Sequence, residues 1–321
     1  MIFAEEKYVR YQFPGGGGTV GKFQINSFHC LWAEKLTSSM TEDQLECTFL
    51  CVGEPKCYSF NWQHILTPKV FTCSSCESSP CKNGAACVPE YKRNSYHCNC
   101  EPGYRGIYCG ERGRTCSDIK SHSLRATNGS YVIDPDGEEG NEPFTVSCDM
   151  TNKRGVGVTL VGHDSEERML VDGYEDRGSY VRYVHYIGPG LSSVSQLASL
   201  SVASAHCEQF IKYECYGSVL FHDGFAWWVS RKDEAMRYWG GSASSNTNKC
   251  ACGLNGACAN PRFGCNCDAN DGVWREDSGS LTDKSDLPVL RLKFGDTGMD
   301  GTGRNEQGYH TLGKFKCYGI A

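Results

Sequence analysis

The sequence predicts a multi-domain, disulfide-rich chain in which small stapled modules precede one larger α+β unit. Three observations predict it. Of the 321 residues 21 are cysteine, a density expected of chains cross-linked in an oxidising, extracellular compartment. The cysteines fall into groups whose spacing changes near residues 75 and 115. The length suits two or three domains at roughly 100–200 residues each. No stretch approaches the roughly 18 uncharged apolar residues of a membrane span.

Charge narrows the partners. Lys plus Arg is 32 and Asp plus Glu is 38, a net charge of −6. Nucleic-acid binding needs a basic patch or stripe, so no nucleic acid is expected. A secreted chain opens with a basic region and an apolar run. Here Glu5, Glu6, Lys7 and Arg10 interrupt any such run. The cysteines favour secretion, so the expectation is that the leader is missing and the sequence is N-terminally incomplete.

Residues 14–18 (PGGGG) are expected as a loop. The string GGGGTVGK nearly matches a phosphate-binding loop, but Phe23 stands where a hydroxyl would hold Mg²⁺. Residues 1–75 hold Cys30, Cys47, Cys51, Cys57 and Cys73. Thr41-Glu-Asp-Gln44 has the form of a capping box, opening a helix on which Cys47 and Cys51 share a face. The following Lys56–Trp62 run is rich in strand formers. This C-x3-C-x5-C arrangement resembles the PAN/apple module, a small α+β fold. The resemblance implies Cys51–Cys57 and Cys47–Cys73, with Cys30 left over.

Residues 76–110 carry six cysteines: Cys76-x4-Cys81-x5-Cys87-x10-Cys98-x-Cys100-x8-Cys109. The glycines of Glu101-Pro-Gly-Tyr-Arg-Gly106 sit where a tight turn needs positive φ. So short a span cannot bury enough apolar area to fold alone, so cross-links replace a core. Spacing alone allows fifteen connectivities. The pattern resembles an EGF-like domain, a small all-β fold, which implies Cys76–Cys87, Cys81–Cys98 and Cys100–Cys109. Phe71–Ser75 contains no carboxylate, so the calcium site of some EGF-like domains is not expected. Cys76-Glu-Ser78-Ser-Pro-Cys81 matches their O-glucose pattern at Ser78. Ala86 breaks the O-fucose pattern. The pair Cys73-x-x-Cys76 lacks the strand-then-helix setting of a thiol-exchange motif.

Residues 111–115 are expected as a polar linker, and residues 116–321 as the large unit. Its opening holds Cys116-Ser-Asp-Ile119, Asn128-Gly-Ser-Tyr-Val-Ile-Asp-Pro-Asp-Gly137 and Pro143-Phe-Thr-Val-Ser-Cys-Asp-Met150. Alternation of Tyr131 with Ile133, and of Phe144 with Val146, predicts two strands joined by an acidic turn and closed by Cys116–Cys148. The opening resembles fibrinogen-like domains. Farther on, Ser204-Ala-His-Cys207 through Cys215, Ala226-Trp-Trp-Val-Ser-Arg231, Lys249-Cys-Ala-Cys-Gly253 and Trp274-Arg-Glu-Asp-Ser-Gly279 resemble the divergent fibrinogen-like segment of contactin-associated proteins, relatives of the neurexins. Gln196 through Cys215 is also similar to the fibrillar-collagen C-propeptide, which implies Cys215–Cys317. The pairing of Cys207, Cys250, Cys252, Cys258, Cys265 and Cys267 stays open. The D-x-D-N-D calcium loop of fibrinogen-like domains is absent, and Trp227 and Trp228 are expected as core anchors.

Chemistry-bearing candidates are few. The cluster at 250–267 offers thiols, but zinc sites favour C-x2–4-C pairs and secretion favours disulfides, so no metal is expected there. The acidic turn 134–142 lacks EF-hand ligand spacing and is expected to be solvated. Asp268, Asn270 and Asp271 before Gly272 are weaker calcium candidates still. No H-E-x-x-H or G-x-S-x-G string occurs, so neither an enzyme nor a cofactor is expected. Asn128-Gly-Ser130 is a single N-glycosylation acceptor. The EGF-like and fibrinogen-like units hold even numbers of cysteines, so the odd one falls in residues 1–75. It either lost an upstream partner or bridges two chains. The expected function is a secreted, non-catalytic adhesion or extracellular-matrix protein with protein or glycan partners. The alternative is a structural component of a mineralised organic matrix with weak calcium contact. The order PAN/apple-like, EGF-like, fibrinogen-like is similar to proteins of the coral skeletal organic matrix.

Overall fold

Among the described residues, strand alternation and cross-links, rather than long helices, build the fold. A computed structural model describes strand segments between residues 5 and 33, Cys76, and residues 79–321 apart from 91–94, 124, 154, 243–246 and 300. Within these residues the fold is disulfide-rich and mostly β, with few helices. No helix among them is long and apolar enough to cross a membrane. The chain divides into two units, Met1–Asn99 and Cys100–Ala321.

In the first unit, β1 (Glu5–Gln12), β2 (Gly18–Asn26) and β3 (His29–Ala33) form an antiparallel sheet with β2 central. Gly21 and Lys22 lie within β2, opposite Val9 and Tyr8. The glycine-rich string therefore runs into a strand, not into the helix a phosphate-binding loop requires. β4 (Ala86–Glu90) and β5 (Ser95–Asn99) form a hairpin. Asn83 and Gly84 take positive φ in the turn before it, where the Ala85 N–H donates to Lys82 O at 3.0 Å. The structure pairs Cys76 with Cys87 and Cys81 with Cys98.

The second unit starts with β6 (Tyr104–Arg105) against β7 (Glu111–Arg112), closed by Cys100–Cys109. Within residues 111–115, expected as a linker, only Glu111 and Arg112 lie in a regular element. Glu111 and Arg112 are strand, the Gly113 N–H donates to Gly103 O at 2.9 Å, and Gly113 O accepts from Asp134 N–H at 3.0 Å. Thr115 caps α1 (Cys116–His122) by accepting the Asp118 N–H at 3.1 Å, as an N-cap hydroxyl does.

Then come β8 (Gly129–Ile133), β9 (Phe144–Lys153), β10 (Val156–His163), β11 (Met169–Asp172), β12 (Tyr180–Tyr183), β13 (Tyr186–Ile187) and α2 (Val194–Ala203). They are followed by β14 (His206–Tyr216), β15 (Trp227–Val229), β16 (Ala235–Met236), α3 (Ala251–Asn255), β17 (Arg275–Leu281), β18 (Arg291–Phe294), β19 (Gly298–Met299) and β20 (Asn305–Tyr318). The main sheet runs β17-β14-β20-β10-β9-β8, and a smaller one runs β12-β18-β15-β16. Ile133 faces Phe144 and Tyr131 faces Val146 across β8 and β9.

β14 and β20 alternate buried and outward residues along their length, as the two-residue period of a strand requires. Their inner faces supply Ile211, Tyr213, Leu312 and Phe315, all fully buried. Tyr213 stacks on Phe294 of the smaller sheet with ring centroids 4.4 Å apart. Trp228 is also fully buried, and its indole N–H donates to Tyr238 O at 2.8 Å. Trp227 is only half-buried, on the opposite face of β15. Each fully buried large apolar side chain contributes about 1.5–3 kcal/mol.

Candidate functional site

Cross-links fix the surface that the larger unit presents. Cys207 and Cys317 are opposite each other in the β14–β20 register, with Cα atoms 4.1 Å apart, and are bonded. This corrects the expected Cys215–Cys317 bond. Cys215 lies eight residues along β14 from Cys207, roughly 27 Å at the strand rise of about 3.4 Å. It therefore cannot reach Cys317, and it bonds Cys267 instead. Cys250 pairs with Cys265, Cys252 with Cys258, and Cys116 with Cys148. In the chain-entropy account, loop length separates their effects. Cys207–Cys317, 110 residues apart, contributes about 4.7 kcal/mol, and the six-residue Cys252–Cys258 separation about 2 kcal/mol. Cys47, Cys51, Cys57, Cys73 and Ser78 lie outside the described residues.

Ligand-type atoms of Cys250, Cys265 and Asp277 lie within 4.8 Å of one another. The two sulfurs are bonded to each other, so they are not the thiolates a zinc ion takes. Asp277 spends both oxygens on backbone. Oδ1 accepts the Asn266 N–H at 3.0 Å and Oδ2 the Cys267 N–H at 2.9 Å. Burial nevertheless pushes its carboxyl up to about 6. Asp268, weighed from sequence as a weak calcium ligand, is buried. A single oxygen accepts the N–H groups of Leu220, Phe221 and His222 at 2.9, 3.0 and 3.2 Å, and burial raises its carboxyl too. These two aspartates are internal ties for the loop at 218–222 and the cysteine cluster. Nothing in their sequence neighbourhood separates them from solvated ones.

In the acidic turn, Asp134 accepts the Gly137 N–H at 2.9 Å, and Asp136 accepts Asn141 and Ser199 at 2.6 and 2.7 Å. Asn128 is exposed. Its Oδ1 accepts the Met150 N–H at 2.6 Å, while Nδ2, the atom a glycan would occupy, donates only to Thr151 at 3.2 Å.

Two outward features remain. On the outer face of the main sheet, Trp274 is 48% exposed. Its ring contacts Tyr216 at 5.6 Å and Tyr309 at 5.9 Å. The Arg168 guanidinium lies 3.3 Å over Tyr309 and donates to both Glu214 oxygens, at 2.7 and 3.3 Å. Strand register creates this patch, because Tyr309 faces Glu214 and the Cys215–Arg275 pairing brings Trp274 beside Tyr216. The second feature is a cleft of about 270 Å³ between Thr247 and Gly264, beside the 250–265 staple. Neither was legible without the pairing of distant segments.

Residues 76–108 match the EGF-like domain, and residues 108–301 match the fibrillar collagen C-terminal domain. The chain is 33% identical over 257 residues to neurexin-4 of Drosophila melanogaster, covering 76% of this chain and 19% of that protein. It is 34% identical over 249 residues to contactin-associated protein 1 of Mus musculus, covering 76% of this chain and 17% of that protein. The corresponding Homo sapiens protein is 32% identical over 255 residues. The chain thus spans less than a fifth of the length of the curated relatives it matches. With its EGF-like domain at residues 76–108 followed by a region similar to neurexin-4 and contactin-associated protein 1, the chain belongs to the fibrillar collagen C-terminal domain family.

Proposed function

We propose that this is a secreted, non-catalytic adhesion or extracellular-matrix protein that presents disulfide-fixed modules to extracellular protein or glycan partners. The observation that carries the reading is the rigid aromatic patch of Trp274, Tyr216 and Tyr309 with Arg168 above it. Trp, Tyr and Arg are the residues most enriched at binding hot spots. Here Arg168 is held in place by Glu214, and the strands beneath are tied by Cys207–Cys317 and Cys215–Cys267. The likeness to neurexin-4 and contactin-associated protein 1 supports the same class of role. In this reading residues 1–75 form a PAN/apple-like module, Asn128 carries an N-linked glycan and Ser78 an O-linked one.

The test is attachment of cells to surfaces coated with the secreted protein. Trp274→Ala is expected to reduce attachment at least five-fold while leaving the unfolding midpoint near that of the parent, because the side chain is half exposed. Equal attachment by parent, variant and a heat-denatured control would contradict the proposal.

A further inference from the structure

Beside the cysteine cluster, the cleft lined by Lys249, Arg262 and Phe263 over Gly253, Gly256 and Gly264 has an unusual charge pattern. The chain is net acidic, yet no carboxylate lines this cleft. Lys249 and Arg262 are both exposed, and no carboxylate among the described residues pairs with either side chain. Phe263 is half-buried, and its ring packs against His222 with centroids 4.7 Å apart. The wall is therefore aromatic and the rim cationic.

The cleft is also preformed. Cys250–Cys265 and Cys252–Cys258 staple both of its sides. The backbones of Gly253 and Gly264 approach so closely that a Cβ on Gly253 would lie 2.2 Å from Gly264 O. Gly256, in the left-handed conformation at φ +63, ends α3, and its N–H returns to Cys252 O. A site held this way loses little conformational freedom on binding. Its volume falls just below the roughly 300–1,000 Å³ of drug-sized ligand pockets, so it suits one small unit rather than an extended chain.

We propose that this cleft binds a single anionic sugar unit, sulfated or carboxylated, of an extracellular glycan. Lys249 and Arg262 take the anionic group, and the ring face rests on Phe263. A glutamate or aspartate side chain would satisfy the cations but leave the aromatic wall unused, so a sugar fits better than an acidic peptide. The proposal deepens the adhesion reading and rests on it for the extracellular setting.

The experiment is direct binding of the full, oxidised chain to four probes: heparin tetrasaccharide, hyaluronan tetrasaccharide, maltotetraose and deca-glutamate. Binding is expected to one or both anionic sugars, weakening as salt rises, with none to maltotetraose. The paired Lys249→Gln and Arg262→Gln substitutions are expected to weaken binding at least ten-fold, and Phe263→Ala at least three-fold. Because Lys249 and Arg262 are exposed, each single variant is also measured, with its unfolding midpoint as a control for folding. A heparin response with none to hyaluronan assigns a sulfate ligand, and the converse a carboxylate. Three results overturn the proposal: no anionic sugar binds, the substitutions leave binding unchanged, or deca-glutamate binds as tightly and ignores Phe263→Ala. Attachment assayed with Trp274→Ala separates these failures from failure of the adhesion reading, since Trp274 does not line the cleft.

Discussion

Asp277 and His310 show what burial does to single residues. Asp277 is 3% exposed, and its carboxyl is raised from 3.8 to about 6 by burial. Between about pH 4 and 6 the folded protein therefore holds a proton that the unfolded chain has released. The resulting stabilisation is fully present below the unfolded value and is lost as pH rises through the folded one. Two units correspond to about 3 kcal/mol. His310 is fully buried, with its Nε2 2.8 Å from the Tyr180 hydroxyl. Burial lowers it from 6.5 to about 4, so its contribution has the opposite sign and is lost as pH falls. In the window they share the two offset each other. Asp277→Asn is accordingly expected to gain stability relative to the parent as pH rises from 4 to 7, by about 3 kcal/mol. Urea midpoints across that range check it, and parallel curves would refute the assignment.

At the scale of elements, α2 depends on one side chain. Gln196 is 1% exposed and makes four bonds to backbone groups. Its Oε1 accepts the N–H groups of Ser192 and Ser193 at 2.8 and 3.0 Å, and its Nε2 donates to Glu142 O and Gly190 O, both at 2.8 Å. It begins the helix and anchors the end of the acidic turn. Gln196→Ala would remove four hydrogen bonds to backbone, each with a net worth of about 0.5–1.5 kcal/mol. A loss of about 3 kcal/mol in urea unfolding is expected; a loss below 1 kcal/mol would show that water replaces the amide.

Such ties explain what the sequence discloses and what it does not. The alternation of Tyr131 with Ile133 and of Phe144 with Val146 is local, so β8 and β9 are legible directly. The short helix α1 passes unread because it turns only twice, and α2 because its decisive contacts come from residues 142 and 190. The Cys207–Cys317 register joins segments 110 residues apart, and spacing carries no information about which of two cysteines on one strand face is opposite. Asp268 and Asp277 look like surface acids until the loops they tie are placed around them. The cleft likewise needs 247–249 and 261–264 brought together by a bond that spacing left open.

For the whole molecule, the division of labour is between a β core and covalent ties. Where the chain is long enough, as in the larger unit, Tyr213, Trp228, Phe294 and Phe315 form a real interior. Where it is short, as between Cys76 and Cys109, the cross-links stand in for one. The last part of the EGF-like domain is continuous with the larger unit. Gly113 bonds both Gly103 and Asp134, and Arg105 pairs with Asp118 at 3.4 Å. Residues 100–321 are thus one compact unit.

The four cross-links of the larger unit's second half hold its distant segments together. The most direct measurement is mass-spectrometric mapping of peptides from the native protein, cleaved without reduction and with free thiols blocked. The expected result is Cys207 linked to Cys317, Cys215 to Cys267, Cys250 to Cys265 and Cys252 to Cys258, all four oxidised. Free thiols at these positions, or Cys215 joined to Cys317, would contradict it.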